Sequence, residues 1–145
     1  MELSRVLIRE VRDAQIIELR EIDGERTFPI VVGRPEAYAI ERRLKGIEPP
    51  RPQTHDFLAS IITHLGGTLS SIVIHELREG TFFAKVIIQQ GDVELVIDSR
   101  PSDAIALGIA QEIPIFVEES VLDEVEQDLV DQEEIEEDPE IFDWD

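Results

Sequence analysis

Asp98 and Asp103 bracket Arg100 and Ser102 in the run Asp98-Ser99-Arg100-Pro101-Ser102-Asp103. Proline fixes φ for a first helical turn, where its missing N–H costs nothing, so the run reads as a strand-to-helix junction. The free N–H groups of a helix start beside a guanidinium suit a phosphate, and two carboxylates suit a Mg²⁺ ion. A plainer reading stands beside this one: Asp103 stabilises its helix N-terminus by about 0.3–1 kcal/mol, and Asp98 is a strand-end turn residue. A second grouping, Arg51-Pro52-Gln53-Thr54-His55-Asp56, sets an imidazole and a carboxylate after an arginine. His55 and Asp56 suit a base and its metal or orienting partner; the plain alternative is a surface histidine beside a capped helix. His64 follows Asp56 by eight residues, about 12 Å along a helix axis, so these two cannot hold one ion. It reads as structural, and His75, alternating with Ile74, as solvent-facing on a strand.

The Arg-Pro word occurs three times, as Arg34-Pro35, Arg51-Pro52 and Arg100-Pro101. Ile30-Val31-Val32-Gly33 precedes the first and Val96-Ile97-Asp98-Ser99 the last, each followed by a helical pattern, which predicts a duplicated strand, Arg-Pro, helix unit. An arginine at a helix start opposes the macrodipole unless it extends toward a carboxylate or a bound anion.

The elements that must position these groups follow from periodicity. Residues 3–11 and 14–22 alternate apolar and polar side chains and predict strands, with Asp23-Gly24 turning the second back into 27–32. Pro35 opens a helix carrying Ala37, Ile40 and Leu44 on one face, and Gly46 ends it. The prolines of 49–52 form a stiff connector. Thr54 is the expected N-cap of a second helix whose Phe57, Leu58, Ile61, Ile62 and Leu65 make one apolar stripe. Three runs, 69–78, 81–90 and 93–98, divided by Glu79-Gly80 and Gly91-Asp92, predict an antiparallel meander. A third helix over 102–112 is apolar almost all round, which predicts burial on several sides. A short strand over 115–117 and a last helix carrying Val121, Leu122, Val125 and Leu129 complete an α+β domain with antiparallel or mixed sheets over 1–130.

The net charge of −20 looks hostile to nucleic acid, because phosphate binding normally requires Lys and Arg to displace counterions. Its distribution alters that reading. All 13 Lys and Arg stand in 1–117 beside 18 acidic residues, whereas 118–145 carries the other 15 and no basic residue. Residues 131–145 are therefore expected to form an acidic, mobile tail, screened over about 8 Å at physiological salt. No cysteine is present, so no disulfide framework or thiolate metal site is available. Neither a basic-then-apolar leader nor a membrane-length apolar run is present, which predicts a cytoplasmic protein with no membrane partner.

Arg51-Pro52-Gln53-Thr54-His55-Asp56-Phe57-Leu58, the run from Asp98 to Leu107, and Pro114-Ile115-Phe116-Val117 resemble the bifunctional nuclease family over roughly residues 3–130. The resemblance implies an α+β fold, a homodimer, and cleavage of both DNA and RNA. A nuclease must supply a nucleophile, neutralise charge on the transferring phosphate and protonate the leaving oxygen, commonly with a divalent metal such as Mg²⁺. On that footing His55, Asp56 and Asp103 are the candidate catalytic residues. Arg51, Arg100 and Ser102 are the phosphate contacts, and Asp98 and Asp103 the metal ligands. The competing reading is a non-catalytic dimeric interaction module that binds a protein or an anionic small ligand at the Arg-Pro junctions. A homodimer is also expected because seven strands and an apolar third helix offer more apolar surface than so small a domain readily covers.

Overall fold

The computed structural model describes the backbone of residues 2–11 and 14–126 and the side chains of 15–126. The acidic tail over 131–145 and the expected helical position Leu129 lie outside the described residues.

Alternating side chains and tight turns build two antiparallel meanders. The first comprises β1 (Glu2–Val11), β2 (Ala14–Glu21) and β3 (Thr27–Val32); the second comprises β4 (Gly67–Arg78), β5 (Thr81–Gln90) and β6 (Val93–Ser99). Asp23 carries the positive φ of the first turn at 58°, and Glu79 and Gly80 carry 50° and 79° in the second meander. Each meander runs through an Arg-Pro pair into a helix, α1 (Arg34–Leu44) or α3 (Pro101–Gly108). The short β7 (Ile115–Val117) joins the halves, antiparallel to β1 and parallel to β4. The strand order β3-β2-β1-β7-β4-β5-β6 is therefore symmetric about β7. All seven expected strands and the duplicated unit are present.

Alternation places Ile17 and Leu19 of β2, Phe28 and Ile30 of β3, and Ala84 and Val86 of β5 in the core. Phe28 and Phe82 meet edge to face with ring centroids 5.1 Å apart, which brings β3 against the start of β5 although four strands separate them in the sheet order. α3 fills the space between the halves, packed on α1, β4 and β5 and on α2 (Thr54–His64). Every residue of α3 is buried except Asp103, so the expected burial on several sides holds, with one carboxylate left facing out. Ile105 lies fully enclosed, and Ile105→Val is expected to cost about 0.5–1.5 kcal/mol by equilibrium denaturation; no loss would place this helix outside the cooperative core.

Two local expectations are corrected, and a third feature is set by what surrounds it. The third helix stops at Gly108 and finishes in a 3₁₀ turn, with Glu112 in the left-handed region at φ 55°. Pro114 explains this, because the residue before a proline avoids the α region and the chain must straighten into β7. Gln53 rather than Thr54 is the N-cap of α2, because Asp56, three positions on, reaches back to accept the Gln53 backbone N–H at 3.0 Å, one half of a capping box. The apolar stripe of α2 is not enclosed: Phe57 and Leu65 are 60% and 68% exposed, and α2 contains no buried residue. Only Ala59 and Ile62 lean on the core. No helix among the described residues is long and apolar enough to cross a membrane.

Candidate active site

The symmetric assembly sets the starts of α1, α2 and α3 around one cleft of about 340 Å³, lined by Pro35 and Glu36, by Gln53, Thr54 and His55, and by Arg100 and Asp103. A helix N-terminus carries roughly +0.5 of an elementary charge in unsatisfied N–H groups. Three of them converging make the backbone itself attractive to an anion.

Asp103 organises the side chains. Its Oδ1 lies 3.0 Å from His55 Nε2, and its Oδ2 accepts a hydrogen bond from Arg100 Nε at 2.8 Å. Arg100 also reaches Glu36, with its terminal nitrogen 3.4 Å from Oε1. A carboxylate only accepts, so His55 donates from Nε2, and in the neutral imidazole this leaves Nδ1 as the proton-accepting nitrogen. Burial works against ionisation of Asp103, but the hydrogen bonds from Arg100 and His55 outweigh it and hold the carboxyl below the ordinary aspartate value. The hydrogen bond that Arg100 donates to Asp103 in return raises the pKa of the guanidinium above its usual value. The Arg100 side chain stays 65% exposed, so these two contacts orient it without enclosing it. The arginine that opposed its own helix dipole in sequence thus meets carboxylates of α3 and α1.

Asp56 sits one residue from His55 and faces a different set of partners. Arg42 and Arg43 of α1 donate to its two oxygens at 2.6 and 2.5 Å. Arg43 in turn donates from Nε to the Ala106 carbonyl at 2.5 Å and from its terminal nitrogen to Leu107 at 2.9 Å, at the end of α3. Burial opposes the Asp56 charge, but Arg42, the Gln53 N–H and Arg43 together lower its pKa. One carboxylate thereby ties α1, α2 and α3 together and fixes the start of α2, on which His55 rides.

This geometry gathers His55, Asp103 and Arg100 and adds Glu36. Arg51 is exposed in the connector and Asp98 is exposed on β6 in register with Lys85; neither lines the cleft. Ser102 lies on the other side of Arg100, in an adjoining cleft. His64 turns back onto its own helix, with Nδ1 2.7 Å from the Ser60 carbonyl. No three His, Asp or Glu side chains are grouped to hold a metal ion among the described residues. Asp98 stands apart, and both oxygens of Asp103 are occupied by cationic or N–H donors, so this donor set does not fit a divalent ion. Sequence reasoning passed over Glu36, though the repeat contained a signal for it: Arg34-Pro35-Glu36 aligns with Arg100-Pro101-Ser102.

Residues 17–130 match the family model of the bifunctional nuclease domain. The chain belongs to the bifunctional nuclease domain family. Its relatives include two uncharacterised proteins of Mycobacterium tuberculosis, one from strain CDC 1551 / Oshkosh and one from strain ATCC 25618 / H37Rv. Each is 39% identical over 117 residues, covering 81% of this chain and 70% of the relative. The matched bifunctional nuclease domain contains every residue that lines the cleft.

Proposed function

We propose that this bifunctional nuclease domain is a phosphodiesterase acting on DNA and RNA, with its reaction in the cleft at the three helix starts. The observation that carries the reading is the Asp103–His55 pair, held beside the outward-facing guanidinium of Arg100. Arg100 takes a non-bridging phosphate oxygen, a role suited to its planar donor fork. His55 Nδ1 removes a proton from the attacking water, whose oxygen bonds to phosphorus as the P–O ester bond breaks. The departing alkoxide, in line on the opposite side of the phosphorus, takes its proton from solvent, and the imidazolium, stabilised by Asp103, releases its own to solvent afterwards. Asp103 fixes the tautomer and stays ionised throughout. Glu36 holds the second side of Arg100 and, with Asp103, keeps the empty cleft from binding anions indiscriminately.

A cleavage assay on single-stranded DNA and RNA oligonucleotides with purified protein, with and without EDTA, tests the reading. Cleavage of both substrates is expected. Activity abolished by EDTA and restored by Mg²⁺ would assign a metal role to carboxylates outside the present grouping, and no cleavage of either substrate would sink the enzyme reading.

The interaction-module reading has one observation in its favour, the uncovered face of α2. That face continues through Leu65 to Leu95 and to the exposed Val93 and Ile97 on the same side of the edge strand β6. An apolar patch beside an unpaired strand edge is a surface that proteins normally cover, and a second copy of the chain is the proposed cover, as expected from the sequence. Light scattering at micromolar concentration is expected to give the mass of two chains, and Phe57→Asp with Leu65→Asp that of one. A single-chain mass for the wild type would remove the dimer from both readings.

A further inference from the structure

On the far side of Arg100 lies a second cleft of about 260 Å³, and Glu36 and Arg100 line both. Its remaining wall includes Val31 from β3, Thr81 and Phe82 from the start of β5, and Ser102 from the first turn of α3. The Glu36–Arg100 ion pair is therefore a ridge between two hollows rather than the end of one. Each hollow is near or below the roughly 300–1,000 Å³ of pockets that enclose a whole small molecule. Neither has room for an oligonucleotide, yet each is sized for one substituent of a diester.

A phosphodiester centred on the ridge must send one ester substituent to each side. Resting on the nuclease reading, we propose that the cleft beyond Arg100 is a second subsite, which holds the nucleoside on the side of the scissile phosphate away from His55. Its chemistry fits that occupant. Phe82 is half-buried and braced by Phe28, so it presents a fixed aromatic surface to a base, a sequence-tolerant contact that serves DNA and RNA alike. Ser102 is only 7% exposed although it lines this cleft, and its hydroxyl makes no hydrogen bond among the described residues. It is thus a donor available to a sugar or phosphate oxygen. The substrate class that follows is a chain with a nucleoside on both sides of the phosphate, not a terminal monoester.

The test compares a dinucleotide, TpT, with the mononucleotide TMP by calorimetric titration at low salt, in a His55→Ala background that prevents turnover. That protein is expected to bind TpT at least tenfold more tightly than TMP. Thr81→Trp and, separately, Val31→Trp fill the second cleft from β5 and from β3 at exposed strand positions that do not line the cleft of His55 and Asp103. Each is expected to bring the TpT to TMP ratio close to one with an unchanged melting temperature. A ratio that keeps its starting value in both variants, or is near one without either, overturns the subsite. Absence of binding by both ligands instead overturns Arg100 as the phosphate site, and with it the reading on which the subsite rests.

Discussion

His55→Ala is expected to lower oligonucleotide cleavage by about 10²–10⁴-fold, the usual worth of a positioned general acid–base, while the melting temperature stays within a few degrees of the wild type. The imidazole makes one described contact, with Asp103, so its removal leaves no buried group stranded. Asp103→Asn is the sharper probe, with an expected loss of at least tenfold, because a serine-hydrolase triad loses about 10⁴ when its orienting aspartate becomes asparagine. An amide oxygen can accept from His55 or from Arg100, but its NH₂ then confronts the other donor. Steady-state rates on labelled DNA and RNA read the effect. Wild-type rates in both variants would place the cleavage elsewhere in the chain.

Asp56→Ala is expected to act on the fold and to cost about 1–3 kcal/mol, the range for leaving a buried polar group such as Arg43 without one of its partners. Arg43 has a side chain 8% exposed, and without Asp56 it keeps only its contacts to the α3 carbonyls. Urea denaturation should show the loss as a lower midpoint at an unchanged slope. The pH dependence has a defined sign. The Asp56 pKa is lower in the folded chain than its ordinary value of 3.8, so the unfolded chain binds the extra proton near that pH. The stabilisation is therefore complete above about pH 4–5 and is lost as pH falls through the folded value. Asp56→Ala should flatten that acid limb. A cost below about 1 kcal/mol, the level of a surface pair, would show that the three helices do not depend on this carboxylate.

The secondary structure was legible because it is local. Alternation marked β1 and β2, turn residues bounded the strands of the other hairpins, and prolines marked the starts of α1 and α3. The repeated Arg-Pro word identified a duplication that the sheet order displays. The site was legible in part, for the same reason. His55, Arg100 and Asp103 carry their own chemical signals, but nothing local says that α2 and α3 meet. Asp56 and His55 are neighbours in sequence, and periodicity gave no means of seeing that the first would face the arginines of α1 and the second Asp103 of α3. Arg42 and Arg43 lie 14 and 13 residues from Asp56, across a proline connector whose path no pattern predicts. The α2 stripe shows the opposite limit. Its spacing announced a helix correctly, and spacing alone cannot tell a face covered by the same chain from one left for a partner.

The most direct test of the central claim is to map a bound oligonucleotide on the protein by amide chemical-shift perturbation, using a single-stranded phosphorothioate hexanucleotide at low salt. The account predicts that the largest shifts fall at 34–36, 53–55 and 100–103, the three helix starts around Arg100, and that they fade as salt rises. Shifts centred on the α2 and β6 face, or no shifts at protein concentrations that support cleavage, would contradict it.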